Sequence, residues 1–139
     1  MPRIVALDVG DATIGVAATD ELMIAAHPVR TIRRTRGVKA DLRAVEALLA
    51  ELDASLVVIG MPLTPEGDVG PQAEKVRDFR DRLARRLRIP VEDFDERYST
   101  ADAQERLLDA DVSRAKRRRV IDQAAAVVIL EDYLRQMKG

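Results

Sequence analysis

At 139 residues, without cysteine and with His27 as its one histidine, the chain is long enough to bury a core as one domain, and it excludes disulfide scaffolds, thiolate zinc sites and zinc centres built on several imidazoles. Its 23 basic and 24 acidic residues nearly cancel, so net charge alone identifies no polyanionic partner. No apolar stretch approaches the ~20 residues that span a bilayer and no signal pattern opens the chain, so a soluble cytoplasmic protein without membrane contact is expected.

In chain order, residues 3–9 and about 14–19 read as two strands joined by a tight Gly10-Asp11 turn, with a third strand near 27–33 completing an antiparallel meander. The first strand is an unbroken apolar run, Ile4-Val5-Ala6-Leu7, closed by Asp8. A carboxylate at the end of a buried central strand is costly unless it meets a cation or hydrogen-bond donors, which makes Asp8 the first candidate for function. His27, just before Pro28 at a strand start, belongs to no motif and reads as structural.

Residues 38–52 carry Leu42, Val45, Leu48, Leu49 and Leu52 at helical period, and Leu56-Val57-Val58-Ile59 then reads as a fully buried strand. Helix followed by buried strand implies a parallel crossover. Gly60-Met61-Pro62 is expected to stop that strand, residues 64–70 to form a mobile loop, and Pro71 to open a helix reaching about residue 87. Along it Arg77, Arg80, Arg82, Arg85 and Arg86, with Arg88 beyond, are interleaved with Glu74, Asp78 and Asp81 in the manner of a solvated charged face. Residues 91–95 form the last strand. Ser99 and Thr100 cap a short helix to about residue 110, and Ser113 caps a final helix to about residue 137.

The closing third supplies two further features. Glu96 follows the last strand in Asp95-Glu96-Arg97, and Asp122 interrupts a face of the final helix that continues through Ala125, Ala126, Ile129 and Tyr133. Together with Asp8 these are three carboxylates on separate elements at the edge of buried structure, the donor set of a divalent metal bound through oxygen, although acids at strand ends also serve as turn formers and solvated charges. Second, Arg114, Lys116, Arg117, Arg118 and Arg119 fall in the first turns of the final helix, where the macrodipole disfavours positive charge. A polyanion near that helix start would compensate, so the block reads as a phosphate-backbone contact.

The order of elements describes an α/β fold with a mixed five-stranded sheet, an antiparallel meander plus two parallel strands, and helices on both faces. The chain resembles the YqgF/RuvX family, small members of the ribonuclease H-like superfamily. The resemblance runs through Ala6-Leu7-Asp8-Val9-Gly10 with Ile14-Gly15-Val16-Ala17, Val58-Ile59-Gly60-Met61-Pro62-Leu63, Gly67 and Gln72, Asp95-Glu96-Arg97-Tyr98-Ser99-Thr100, and Asp122 with Ala124 and Ala125. It implies one ribonuclease H-like domain over residues 1–139 and a metal-dependent nuclease. Asp8, Glu96 and Asp122 would be its catalytic acids and the ligands of one or two Mg2+ or Mn2+ ions, with Asp95 the neighbouring candidate for the place of Glu96. Arg97 would pair with these acids, with Asp93 or Asp95, or with substrate phosphate. The resemblance further implies processing of the 5′ end of precursor 16S rRNA; resolution of four-way DNA junctions by a homodimer, and nucleic-acid binding without catalysis, are the alternatives. In each the partner is structured RNA or branched DNA, and the chain is a monomer or a homodimer. One departure stands out: the family places a Lys or Arg between Gly10 and Ile14, where this chain has Asp11-Ala12-Thr13.

Overall fold

The computed structural model describes residues 3–20, 22–95 and 114–138, with the backbone alone for 114–122 and 138. Five strands, β1 (Arg3–Val9), β2 (Thr13–Thr19), β3 (Ala26–Arg33), β4 (Ala54–Met61) and β5 (Val91–Asp95), form one sheet in the order β3-β2-β1-β4-β5. The helices are α1 (Val38–Glu51), α2 (Pro71–Arg86) and α3 (Arg114–Lys138). β1 pairs antiparallel with β2, and β2 with β3, as the short hairpin connections allow. β1 runs parallel to β4, and β4 to β5, as helical crossovers require.

Alternation along the strands divides the core into two layers. Val5, Leu7 and Val9 of β1, with Val57, Ile59 and Met61 of β4, pack beneath α1 and α2 against Val45, Leu48, Val76 and Phe79. Ile4 and Ala6 of β1, with Val58 of β4 and Phe94 of β5, pack beneath α3 against Ala126, Ile129, Leu130 and Leu134. Helices therefore cover both faces, and β1 is buried from each side. Ala125 and Ala126, both fully buried, let α3 lie close to the sheet. Tyr133 fastens the same helix to β5: its hydroxyl donates to Glu92 Oε2 at 2.6 Å, and its ring meets Phe94 edge-on at 6.3 Å.

Three details depart from the sequence reading. β4 continues through Gly60 to Met61, because the Met61 side chain is buried in the α1/α2 layer, and only Pro62 ends the strand. Leu52 caps α1 rather than belonging to it, and Asp53 turns the chain into β4 with a left-handed φ of 53°. The arginines of α2 are also more than a solvated face. Arg80 reaches Asp93 on β5 at 3.0 Å and Arg86 reaches Glu46 on α1, while Arg82 pairs within the helix with Asp78 at 3.2 Å. Residues 64–68 form a turn closed by hydrogen bonds from Gly67 N to Thr64 O (2.8 Å) and from Thr64 N to Asp68 O (2.9 Å). The expected short helix at 99–110 and the Ser113 cap lie outside the described residues.

Candidate active site

Asp8 occupies the last α3-facing position of β1, after Ile4 and Ala6, and is half-buried. The register sets it in a row across the sheet. Asp8 pairs with Gly15 of β2, and Gly15 with Thr31 of β3. On the other side Leu7 pairs with Ile59, so the next residue of β4 is Gly60, which pairs with Phe94 of β5. The carboxylate thus stands between two glycines, which bring no side chain to either flank of it on this face.

The final helix reaches this row. Gln123 Nε2 donates to Thr31 Oγ1 at 3.1 Å, placing that turn of α3 over the β3 end of the row. Asp122 is the residue before Gln123 and lies one turn ahead of the buried Ala125 and Ala126. From there α3 runs towards Leu134, beside Ala26 at the opposite end of β3. The turns that carry Arg114, Lys116, Arg117, Arg118 and Arg119 therefore start at the Asp8 end of the sheet; at 1.5 Å per residue the helix begins about 13 Å before Gln123.

β5 separates its acids by face. Asp93 pairs with Ile59 and Asp95 with Met61, both of the α1/α2 layer, and Arg80 of α2 bonds Asp93 Oδ1 and the Val91 carbonyl oxygen at 3.0 and 3.3 Å. Glu92 and Phe94 face α3, where Tyr133 meets them. Asp95 therefore stands on the face opposite Asp8. Glu96 and Arg97 lie outside the described residues, as does the side chain of Asp122. Among the described residues no three His, Cys, Asp or Glu side chains are grouped so as to hold a metal ion. His27 is exposed on β3 opposite Ala18, away from the row.

Behind Asp8 the turn into β2 is held by groups that sequence reasoning passes over. Gly10 N–H donates to Thr13 O at 2.8 Å, and a Cβ on Gly10 would stand 3.1 Å from that oxygen, so glycine suits the approach. Arg34, just past β3, clamps the turn from below: its N–H donates to Ala12 O and its Nη1 to Gly10 O, each at 2.8 Å. Its guanidinium also lies over the Phe79 ring, 5.1 Å from the centroid, and its Nε donates to Asp41 Oδ2 at 3.1 Å. Asp41 is a buried carboxylate in the first turn of α1, and its Oδ1 accepts from the Thr35 N–H (2.8 Å) and hydroxyl (3.0 Å). Burial alone would raise its pKa. The Thr35 N–H, the Arg34 side chain and the Thr35 hydroxyl outweigh that and hold the carboxyl below its ordinary value. The signal in the sequence is an acid beside Leu42, ahead of Val45, Leu48 and Leu49 on the buried stripe of α1.

Residues 2–136 match the family model RuvX, described as Holliday junction resolvase. The chain belongs to this family. Relatives named "Putative pre-16S rRNA nuclease" include one from Myxococcus xanthus, 49% identical over 95% of this chain and 87% of its own length. Others are from Symbiobacterium thermophilum, 48% identical over 95% and 91%, and Desulforudis audaxviator, 43% identical over 99% and 96%. Among solved structures, Thermus thermophilus RuvC in complex with a Holliday junction superposes with a TM-score of 0.60 at 12% identity, covering 100% of this chain and 97% of that one. A second Thermus thermophilus RuvC structure gives 0.55 at 10% identity. These likenesses establish the ribonuclease H-like sheet and helix arrangement. No helix among the described residues is long and apolar enough to cross a membrane.

Proposed function

We propose that this chain is a cytoplasmic, metal-dependent nuclease that hydrolyses phosphodiester bonds at the Asp8 end of the sheet and acts on the 5′ end of precursor 16S rRNA. The observation that carries the reading is the row itself. A carboxylate stands between two glycines on the α3 face, and Gln123 brings the helix turn that bears Asp122 to the same row. The relatives' shared name supplies the substrate.

Asp8, Asp122 and Glu96 are the residues that would hold magnesium or manganese. The donor chemistry fits, being oxygen throughout, and the glycine flanks leave room beside Asp8. When bound, such an ion activates water and stabilises the charge that develops on the leaving 3′ oxygen. The assignment of Glu96 rather than Asp95 is supported by the face of β5 on which Asp95 stands, since successive residues of a strand alternate in face. The chain's own groups then have distinct tasks. The Arg34–Asp41 clamp fixes the turn behind Asp8 and with it the position of the carboxylate. Arg97, Arg114, Lys116, Arg117, Arg118 and Arg119 bind the phosphates of the substrate strand.

The family description favours one other reading, a resolvase of four-way DNA junctions, which needs a homodimer to set two such sites symmetrically on the junction. Cleavage of a precursor RNA and of a four-way junction, measured side by side with oligomeric state, decides between them. RNA cut by a monomer supports the first reading, and paired incisions in the junction by a dimer replace it.

A further inference from the structure

We propose that Arg33, at the end of β3, is a phosphate-binding residue of the substrate site, so that the nucleic acid strand crosses from Asp8 over β2 towards β3. The inference rests on the nuclease reading and adds the path of the substrate.

The register settles the face on which Arg33 stands. Ile32 pairs with Ile14, and both pack in the α1/α2 layer. Thr31 pairs with Gly15 and meets Gln123 of α3. Arg33 pairs with Thr13 two positions beyond the Thr31–Gly15 pair, so it shares the α3 face with Asp8. Strand spacing of about 4.8 Å and a rise of about 3.3 Å per residue put its Cα about 12 Å from that of Asp8, two strands across and two residues along. That is within a few nucleotides of the phosphate cleaved at Asp8, at about 3.4 Å per nucleotide of one strand.

Its charge is unspent. Arg34, Arg80, Arg82 and Arg86 each pair with a carboxylate, whereas Arg33 is exposed and makes no ion pair among the described residues. The β1–β2 turn, Asp11-Ala12-Thr13, has no cation of its own. Among the described side chains Arg33 is the cation on this face at the Asp8 end, and the basic first turns of α3 begin at the same end. A polyanion lying against Asp8 without neighbouring cations would be repelled. With Arg33 on one side and the start of α3 above, that end of the sheet carries the charge a phosphate backbone needs.

Arg30 is the internal control. It lies on the same strand but pairs with Val16 of the α1/α2 layer, on the opposite face, 4.0 Å from Glu51. Binding of a labelled RNA spanning the 5′ end of the 16S precursor is measured in chelator, so that none is cut, across a salt series, for wild type, Arg33→Gln and Arg30→Gln. Arg33→Gln is expected to bind roughly fivefold more weakly at 0.1 M salt and to lose about one unit of the slope of log affinity against log salt, while Arg30→Gln matches wild type. Wild-type affinity and slope in Arg33→Gln overturn the inference alone, as does an equal loss in Arg30→Gln, which marks a general effect of charge. A wild-type protein that binds no RNA overturns the nuclease reading and this inference with it.

Discussion

Acids on apolar rows are the residues that organise this chain, Asp8 on β1 and Asp41 on α1 among them. Asp41 is met within the protein: Arg34 and Thr35 saturate both its oxygens. Breaking a buried pair by neutralising one partner typically costs about 3 kcal/mol, so Asp41→Asn is expected to lower stability by that order in denaturant melts at pH 7. The pH dependence follows from the sign of the shift. The folded pKa of Asp41 lies below its ordinary 3.8, so its contribution is complete above that value and is lost as pH falls through the lower folded one. Asp41→Asn should therefore show a shallower acid limb than wild type. For the proposed triad the expectation is chemical. Asp8→Asn, Asp122→Asn and Glu96→Gln should each abolish cleavage with circular dichroism unchanged, while Asp95→Asn, on the far face of β5, should keep most of the rate. A larger loss in Asp95→Asn would place the third ligand on the wrong residue.

At the scale of elements, hydrophobic period made most of the architecture legible. The apolar run before Asp8 marks β1, the stripe from Leu42 to Leu49 marks α1, and Pro71 marks the start of α2. Boundaries were less legible where a tertiary contact decides them. Nothing local keeps Met61 in β4; its burial under α2 does. The partner of Asp41 was hidden for the same reason, since Arg34 joins it only once β3 has turned into α1. α3 shows both limits: Ala125, Ala126 and Ile129 lie buried on the stripe read from the sequence, yet the bond from Tyr133 to Glu92 required knowing that β5 lies alongside. Burial, reinforced by the bond to Glu92 and its charge, pushes the Tyr133 phenol up to about 12. Because the folded pKa is raised, this tie is intact below pH ~10 and is lost as pH rises towards 12, so Tyr133→Phe should flatten the alkaline limb of the stability profile. The first turns of α3 carry the opposite expectation for stability. Replacing Arg117, Arg118 and Arg119 with glutamine relieves cations at a helix N-terminus, so thermal stability should hold or rise while the salt slope of RNA binding falls by roughly one unit per lost phosphate contact. Unchanged binding would make the block a solvated face.

For the whole molecule, the two faces of the sheet divide the work. α1 and α2 bury the larger core layer and, through Arg34 and Asp41, hold the turn behind Asp8; α3 brings Asp122 and the basic block to the other face at the same end. The resemblance read from the sequence and the matched family name the same family, and the Thermus thermophilus RuvC structures share the sheet and helix architecture. The most direct test is a cleavage assay with precursor 16S RNA, a four-way DNA junction and single strands side by side, each in magnesium, manganese and chelator, with Asp8→Asn alongside wild type. Metal-dependent cutting of the precursor RNA by wild type, absent in chelator and in Asp8→Asn, is the predicted result. Cutting that persists in chelator, or that Asp8→Asn retains in full, would contradict a metal-dependent nuclease centred on Asp8.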